Sequence, residues 1–132
     1  MLLRMGTPAG KRLSTAYIVV AVLMALMMFF SASGKLTLNP AVVKGIHEVV
    51  GVPLNLLPVL ALLEIAGGIG LLAGIVRPKL GIAGAIGLVC YFVGAFIAHV
   101  RVADWAGLTG PIVPFVFAVA ALILRITSAR RA

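Results

Sequence analysis

The sequence predicts an all-α membrane protein: a bundle of four transmembrane helices, with a short amphipathic surface helix between spans 1 and 2. Of the 132 residues, 63% are hydrophobic and only 11% are charged, against roughly 45–50% apolar residues in soluble domains. Four apolar runs approach the ~20 residues that a helix needs to cross the hydrocarbon core. We therefore interpret residues 1–132 as a single membrane domain.

The predicted spans cover about residues 14–32, 54–76, 80–100 and 108–126. The first run is also compatible with a secretory signal peptide, because basic residues precede it and small residues such as Ser31 follow it. We favour a retained span, since the run is long for a signal peptide and the sequence from Gly34 to Leu36 suits a span exit.

A short segment of about residues 40–50 is amphipathic and too short to cross a membrane. Asn39 suits a helix cap, Pro40 suits the first helical position, and Gly51 suits the position after the end. The apolar stripe is Val42, Val43, Ile46, Val49 and Val50, and the polar side is Lys44, His47 and Glu48. We expect this helix to lie along the membrane surface or to cap the bundle.

The basic residues gather at one end of the predicted spans, eight there against three at the other end. The eight are Arg4, Lys11, Arg12, Arg77, Lys79, Arg125, Arg130 and Arg131, and the three are Lys35, Lys44 and Arg101. The positive-inside rule predicts a multi-pass protein of the cell (inner) membrane with both termini in the cytoplasm. Because these residues mark span ends and form no patch, the net charge of +8 does not indicate nucleic-acid binding.

Glu64 is the main candidate for a functional residue, because it is a carboxylate inside the second predicted span. Counted from Leu54 it lies roughly 15 Å deep, or roughly 10 Å if regular helix begins only at Pro58. A charge at the bilayer centre costs about 2.5–3.5 kcal/mol on insertion scales, so Glu64 should face the bundle interior. The sequence leaves open whether it binds a ligand or moves a proton, or makes a structural hydrogen bond between spans.

Small residues follow Glu64 on or beside the same helix face, at Gly67, Gly68 and Gly74, and Gly70 with Gly74 forms a GxxxG pair. Small residues let helices approach closely in lipid. The face that carries the carboxylate is therefore predicted to pack against another span.

Three further residues complete the predicted ligand-binding set of Glu64, Lys35, Tyr91 and His99. Lys35 is a candidate counter-charge whose stem can follow apolar surface, or it points to water. Tyr91 has a depth similar to that of Glu64, so its phenol either donates to the carboxylate or packs as an ordinary aromatic. His99 is expected to line the region near Glu64.

No metal site and no catalytic residue are predicted. His47 on the surface helix and His99 at a span end do not suit paired haem or metal ligands. The lone Cys90 lacks the partner that a thiol–disulfide enzyme needs, so we expect a packed, inert cysteine. No Ser/His/Asp set and no phosphate-binding loop is present, and the question of an independent enzyme activity stays open.

Four short motifs occur in order along the chain: Gly34-Lys35-Leu36, Gly51-Val52-Pro53, Leu63-Glu64 with the glycine-rich run to Gly74, and His99-Val100-Arg101. This pattern, covering roughly Tyr17 to Arg125, resembles the DoxX family and in particular its short DoxX-like branch. The resemblance implies a four-helix membrane protein, and the family takes its name from a membrane subunit linked to thiosulfate:quinone oxidation.

From this resemblance we expect an accessory subunit of a membrane oxidoreductase system, or a component of it that binds a quinone or another apolar ligand. The alternative is a stand-alone binder or carrier of a small amphiphile or lipid, and a purely structural anchor comes third. The expected partners are the lipid bilayer, a soluble or membrane oxidoreductase, and, left open, further copies of the chain.

Overall fold

Four long helices form a ring in the computed structural model, which describes residues 8–130. They are α1 (Pro8–Leu36), α3 (Leu57–Ala73), α4 (Pro78–Arg101) and α5 (Thr109–Arg130), and each is long and apolar enough to cross a membrane, counting the turns that precede α3 and α5. α1 packs against α3 and α5, and α4 packs against the same two helices from the opposite side. The predicted fold class, a four-helix membrane bundle, is confirmed.

The bundle has two ends that differ in composition. At one end lie the start of α1, the turn between α3 and α4, and the last residues of α5. We call this the terminal end, and we call the opposite end the far end. Six of the eight basic residues that predict the orientation lie near the terminal end, while Arg4 and Arg131 lie outside the described residues.

The helices extend differently from the predicted spans. α1 is described from Pro8 onwards, so the helix includes polar residues such as Lys11 that precede the apolar run. α3 is preceded by a 3₁₀ turn, Leu54–Leu56, and ends at Ala73, where predicted span residues 74–76 instead form a turn. Arg77 is extended before Pro78, as expected for a residue that precedes proline.

The segment between α1 and α3 is helical, as predicted, but only its first residues are α-helical. A short α2 (Pro40–Val42) starts where the Asn39 side chain accepts a hydrogen bond from Ala41 N (3.0 Å), and it continues as a π-helix, Val43–Val49. The wider turn alters the predicted apolar stripe: Val50 is 3% exposed, whereas Val49 is 46% exposed. We call residues 40–50 the capping segment.

The capping segment is held across the far end of the bundle. Gly51 closes it with a φ of +88°, a conformation that favours glycine. Arg101 Nη2, at the end of α4, donates a hydrogen bond to Val50 O (2.8 Å).

Glycine contacts bring α3 and α4 together. Gly70 packs against Gly84, and Gly74 packs against Gly81 so closely that an added Cβ at Gly74 would overlap the Gly81 backbone and the Tyr17 hydroxyl. The GxxxG pair thus serves as a helix-packing surface. Neighbouring Gly67 and Gly68 instead make room for side chains, those of Leu88 and Phe29.

We expect Gly74→Ala to lower the free energy of unfolding by about 1–3 kcal/mol, the usual cost of overpacking. The added methyl group would meet backbone atoms, which cannot rotate away. Gly87→Ala in α4 is the matched control, because a Cβ there meets nothing within 4 Å. Thermal unfolding in detergent measures both variants, and equal midpoints would show that the α3–α4 contact is less tight than described.

Cys90 is exposed on the outside of the bundle, so its prediction as a packed cysteine is wrong. α4 buries Gly81, Ala85, Leu88 and Phe92, which share one face, and Cys90 lies on a different face. The continuous apolar run around it does not reveal which residues face lipid and which face the other helices.

Candidate functional site

Glu64 lies inside the bundle, where α3 passes α1, and is 1% exposed. Ser31 Oγ donates a hydrogen bond to Glu64 Oε2 (2.8 Å). Lys35 Nζ lies 2.9 Å from Glu64 Oε1 and donates to Ser31 Oγ (2.7 Å). The partners of the carboxylate thus come from α1, and together the three side chains form a buried polar cluster.

Local helix geometry explains why Lys35 reaches Glu64. Side chains four residues apart lie on one helix face, which places Lys35 beside Ser31. Cα–Cβ bonds tilt towards the N-terminus of a helix, so Lys35, one residue before the end of α1, points back into the bundle. Regular α3 begins at Leu57, so Glu64 is only about 10 Å from its start, near the depth that Lys35 can reach.

The two charges depend on each other in this setting. Lys35 is 6% exposed, and no other acidic side chain within residues 8–130 forms an ion pair with it. A buried charge without its partner is strongly destabilising, because the desolvation cost is no longer offset. The pair lets a carboxylate stay inside an apolar bundle.

A cavity of about 850 Å³ opens beside this pair towards the far end. All four residues of the predicted set, Lys35, Glu64, Tyr91 and His99, line it. Its apolar wall includes Met27, Met28, Leu60, Phe92 and Val113. The cavity is therefore a mostly apolar chamber with a few polar groups, the usual character of a small-molecule site.

Glu64 and Tyr91 differ in their polar contacts. Glu64 Oε1 is enclosed and lies 2.9 Å from Lys35 Nζ, with no further hydrogen-bond donor in the described chain. The Tyr91 ring packs edge-to-face against Phe92, with centroids 4.9 Å apart. Among residues 8–130 the Tyr91 hydroxyl has no side-chain hydrogen bond. The side chain that donates a hydrogen bond to Glu64 is that of Ser31, and the predicted alternative of a Tyr91–Glu64 hydrogen bond is not formed.

The two histidines stabilise separate loops near the cavity mouth. His99 Nδ1 lies 2.9 Å from Asp104 Oδ2, and Asp104 Oδ1 accepts a hydrogen bond from Gly107 N (3.2 Å). His47 Nδ1 lies 2.7 Å from Val52 O, so it carries the proton and donates. His99 thus lines the cavity at its far-end side, while His47 fixes the end of the capping segment.

The capping segment forms part of the mouth. Val42, Ile46 and Val50 line the cavity, and the Arg101–Val50 hydrogen bond ties their backbone to α4. A ligand entering from the far end would pass these residues.

Sequence reasoning missed two features. One is Ser31, which by composition is only a small residue after the first span, although its i,i+4 spacing to Lys35 indicates a shared polar face. Arg125 was interpreted only as a topology marker, yet it is 5% exposed and its guanidinium lies over the Tyr17 ring, 4.9 Å from the centroid. No pattern in the sequence identifies it as buried.

Four spans, a buried lysine–glutamate pair and a chamber between the helices define a small multi-pass membrane protein. The chain belongs to the DoxX-like family, whose sequence model matches residues 19–123. That range extends from α1 into α5 and includes the whole predicted ligand-binding set. No curated protein and no solved structure matches the chain.

Proposed function

We propose that the cavity binds a quinone, or another apolar ligand with a comparable polar head, and that the protein serves a membrane oxidoreductase system as its accessory or ligand-binding subunit. The observation that carries this proposal is the buried Lys35–Glu64 pair. Its two charged side chains line the wall of an otherwise mostly apolar cavity of about 850 Å³, where they can contact the polar head of a ligand.

The residues present fit a quinone. The Tyr91 hydroxyl and the Lys35 ammonium are donors for a ring carbonyl, and Glu64 is an acceptor for a reduced ring hydroxyl. Met27, Met28 and Phe92 offer an apolar wall for the ring and its tail. A quinone would supply electron and proton transfer when bound, whereas the side chains of this chain would bind and orient it and exclude water.

Mass spectrometry of the protein purified in mild detergent tests this proposal, with small molecules and co-purifying proteins analysed together. We expect quinone to be enriched over its proportion in a total membrane extract, and a soluble or membrane oxidoreductase to co-purify. Titration with a short-chain benzoquinone should raise the thermal midpoint saturably. No enrichment and no saturable shift would contradict quinone binding.

A second candidate is a stand-alone binder or carrier of a small amphiphile or lipid. The cavity supports it, because its polar groups include the buried pair and the residues of the mouth, and its walls are otherwise apolar. In the same mass spectra, a specific lipid or amphiphile without quinone, on a monomer or homo-oligomer without an oxidoreductase, would favour this candidate.

The proposed setting is the cell membrane with both termini in the cytoplasm, supported by the basic terminal end. Lys79→Cys, in a background where Cys90 is replaced by alanine, should react with a membrane-impermeant maleimide only after the cells are permeabilised. Lys44→Cys is the matched control at the far end and should react in intact cells, since both lysines are exposed. The reverse pattern would overturn the orientation.

A further inference from the structure

Arg125 carries an unusual combination of burial and missing partners at the terminal end of the bundle. The residue is 5% exposed, and its Nε and Nη1 atoms have no hydrogen-bond partner within the described chain. The Tyr17 ring covers one face of the guanidinium at 4.9 Å, and this contact leaves the N–H groups of Nε and Nη1 without acceptors.

No acidic side chain is available to neutralise Arg125. The whole chain has three, Glu48, Glu64 and Asp104. Glu64 pairs with Lys35, Asp104 pairs with His99, and Glu48 lies on the capping segment at the far end. A buried cation without a counter-ion is costly, and no acidic side chain of this sequence supplies one, so an anion from outside the chain would stabilise Arg125.

The surroundings of Arg125 are fixed and basic. Tyr17 OH donates a hydrogen bond to Leu71 O (2.6 Å), and its hydroxyl lies against the Gly74–Gly81 contact, so the ring is a rigid support. Exposed basic residues at the same end, Lys11, Arg12 and Arg130, would attract anions. Arg125 lies five residues before the end of α5, about 7.5 Å along the axis.

We propose that Arg125, supported by Tyr17, binds a phosphate group at the terminal end of the bundle. A guanidinium offers two parallel N–H groups to two oxygens of a phosphate along the edge that Nη2 shares with Nε, or along the edge that Nη2 shares with Nη1. The group belongs either to the headgroup of an anionic phospholipid or to free phosphate. This site lies at the opposite end from the cavity and does not depend on the function proposed for it.

The full-length protein in detergent tests this with two probes, phosphatidylglycerol in mixed micelles and inorganic phosphate, with diacylglycerol, which has no phosphate group, as the comparison. We expect saturable binding of at least one phosphate probe, measured by native mass spectrometry and by thermal shift. Arg125→Lys keeps the charge but loses the planar edge, and should weaken binding about tenfold or more. Arg130→Lys, the same change at an exposed arginine, should stay within about twofold.

The probes also distinguish the sources of the phosphate. Binding of phosphatidylglycerol without competition by inorganic phosphate assigns the site to a lipid headgroup, and competition assigns it to the phosphate group in general. The proposal is overturned if wild-type protein binds neither probe better than diacylglycerol, or if the two arginine variants lose binding equally. Should Arg125→Lys not fold, Arg125→Met takes its place, and the wild-type comparison alone can still overturn the proposal.

Discussion

Replacing Lys35 with methionine should destabilise the bundle by about 3–5 kcal/mol, the cost of leaving one partner of a buried ion pair without the other. Methionine has a similar length and fills the space of the lysine stem, so lost packing contributes little. Glu64, 1% exposed, would keep only the Ser31 hydrogen bond. Reversible unfolding in detergent, followed by circular dichroism, measures the change.

A double variant shows whether the pair acts as a unit. Lys35→Met combined with Glu64→Leu removes both charges, and should recover most of the stability that Lys35→Met loses. Lys44→Met is the matched control, because Lys44 is exposed, and it should stay within about 0.5 kcal/mol of wild type. A double variant as unstable as the sum of its parts would contradict the coupling.

The fold was largely predictable because membrane helices have a strong signature in a single sequence. Apolar runs long enough to cross the hydrocarbon core predict spans, and proline and glycine positions predict where they end. Helix ends were less predictable, since α1 continues through polar residues to Pro8 and the chain after Ala73 forms a turn. The π-helical turn of the capping segment has no simple sequence pattern, so the exposure of Val49 was not foreseen.

The candidate site was partly predictable for a physical reason. Glu64 stands out because a carboxylate is rare and costly in a span, and Lys35 is one of few cations away from the terminal end. The cluster with Ser31 depends on how α1 crosses α3, which no single-sequence pattern specifies. The same holds for Arg125 over Tyr17 and for Cys90, whose positions depend on which helix face meets which neighbour.

Glu64→Gln should weaken ligand binding about ten- to one-hundredfold while leaving the bundle folded. The amide is nearly isosteric and can still accept a hydrogen bond from Ser31, so the α1–α3 contact persists. A hydrogen bond to a charged group contributes about 1.5–3 kcal/mol. Losing one such bond between the ligand and the carboxylate therefore corresponds to a loss in affinity of about ten- to one-hundredfold.

Glu64→Gln should lower the free energy of unfolding less than Lys35→Met does, because the lysine that remains can adjust. Lys35 lies one residue before the end of α1, so its flexible stem can redirect the ammonium to water at the far end. Glu64 lies about 10 Å from the start of α3, and its shorter side chain cannot carry the carboxylate to the far end. We therefore expect Glu64→Gln to lower the free energy of unfolding by only about 1–2 kcal/mol.

Glu48→Gln is the matched control, because it makes the same chemical change on the exposed side of the capping segment. Binding of a short-chain benzoquinone, or of the ligand that co-purifies, would be measured for wild type and both variants, with helicity as the check on folding. If Glu64 contacts the ligand, only Glu64→Gln loses affinity. Unchanged affinity in a folded Glu64→Gln protein would mean that the carboxylate only joins α1 to α3, as its contacts with Ser31 and Lys35 also allow.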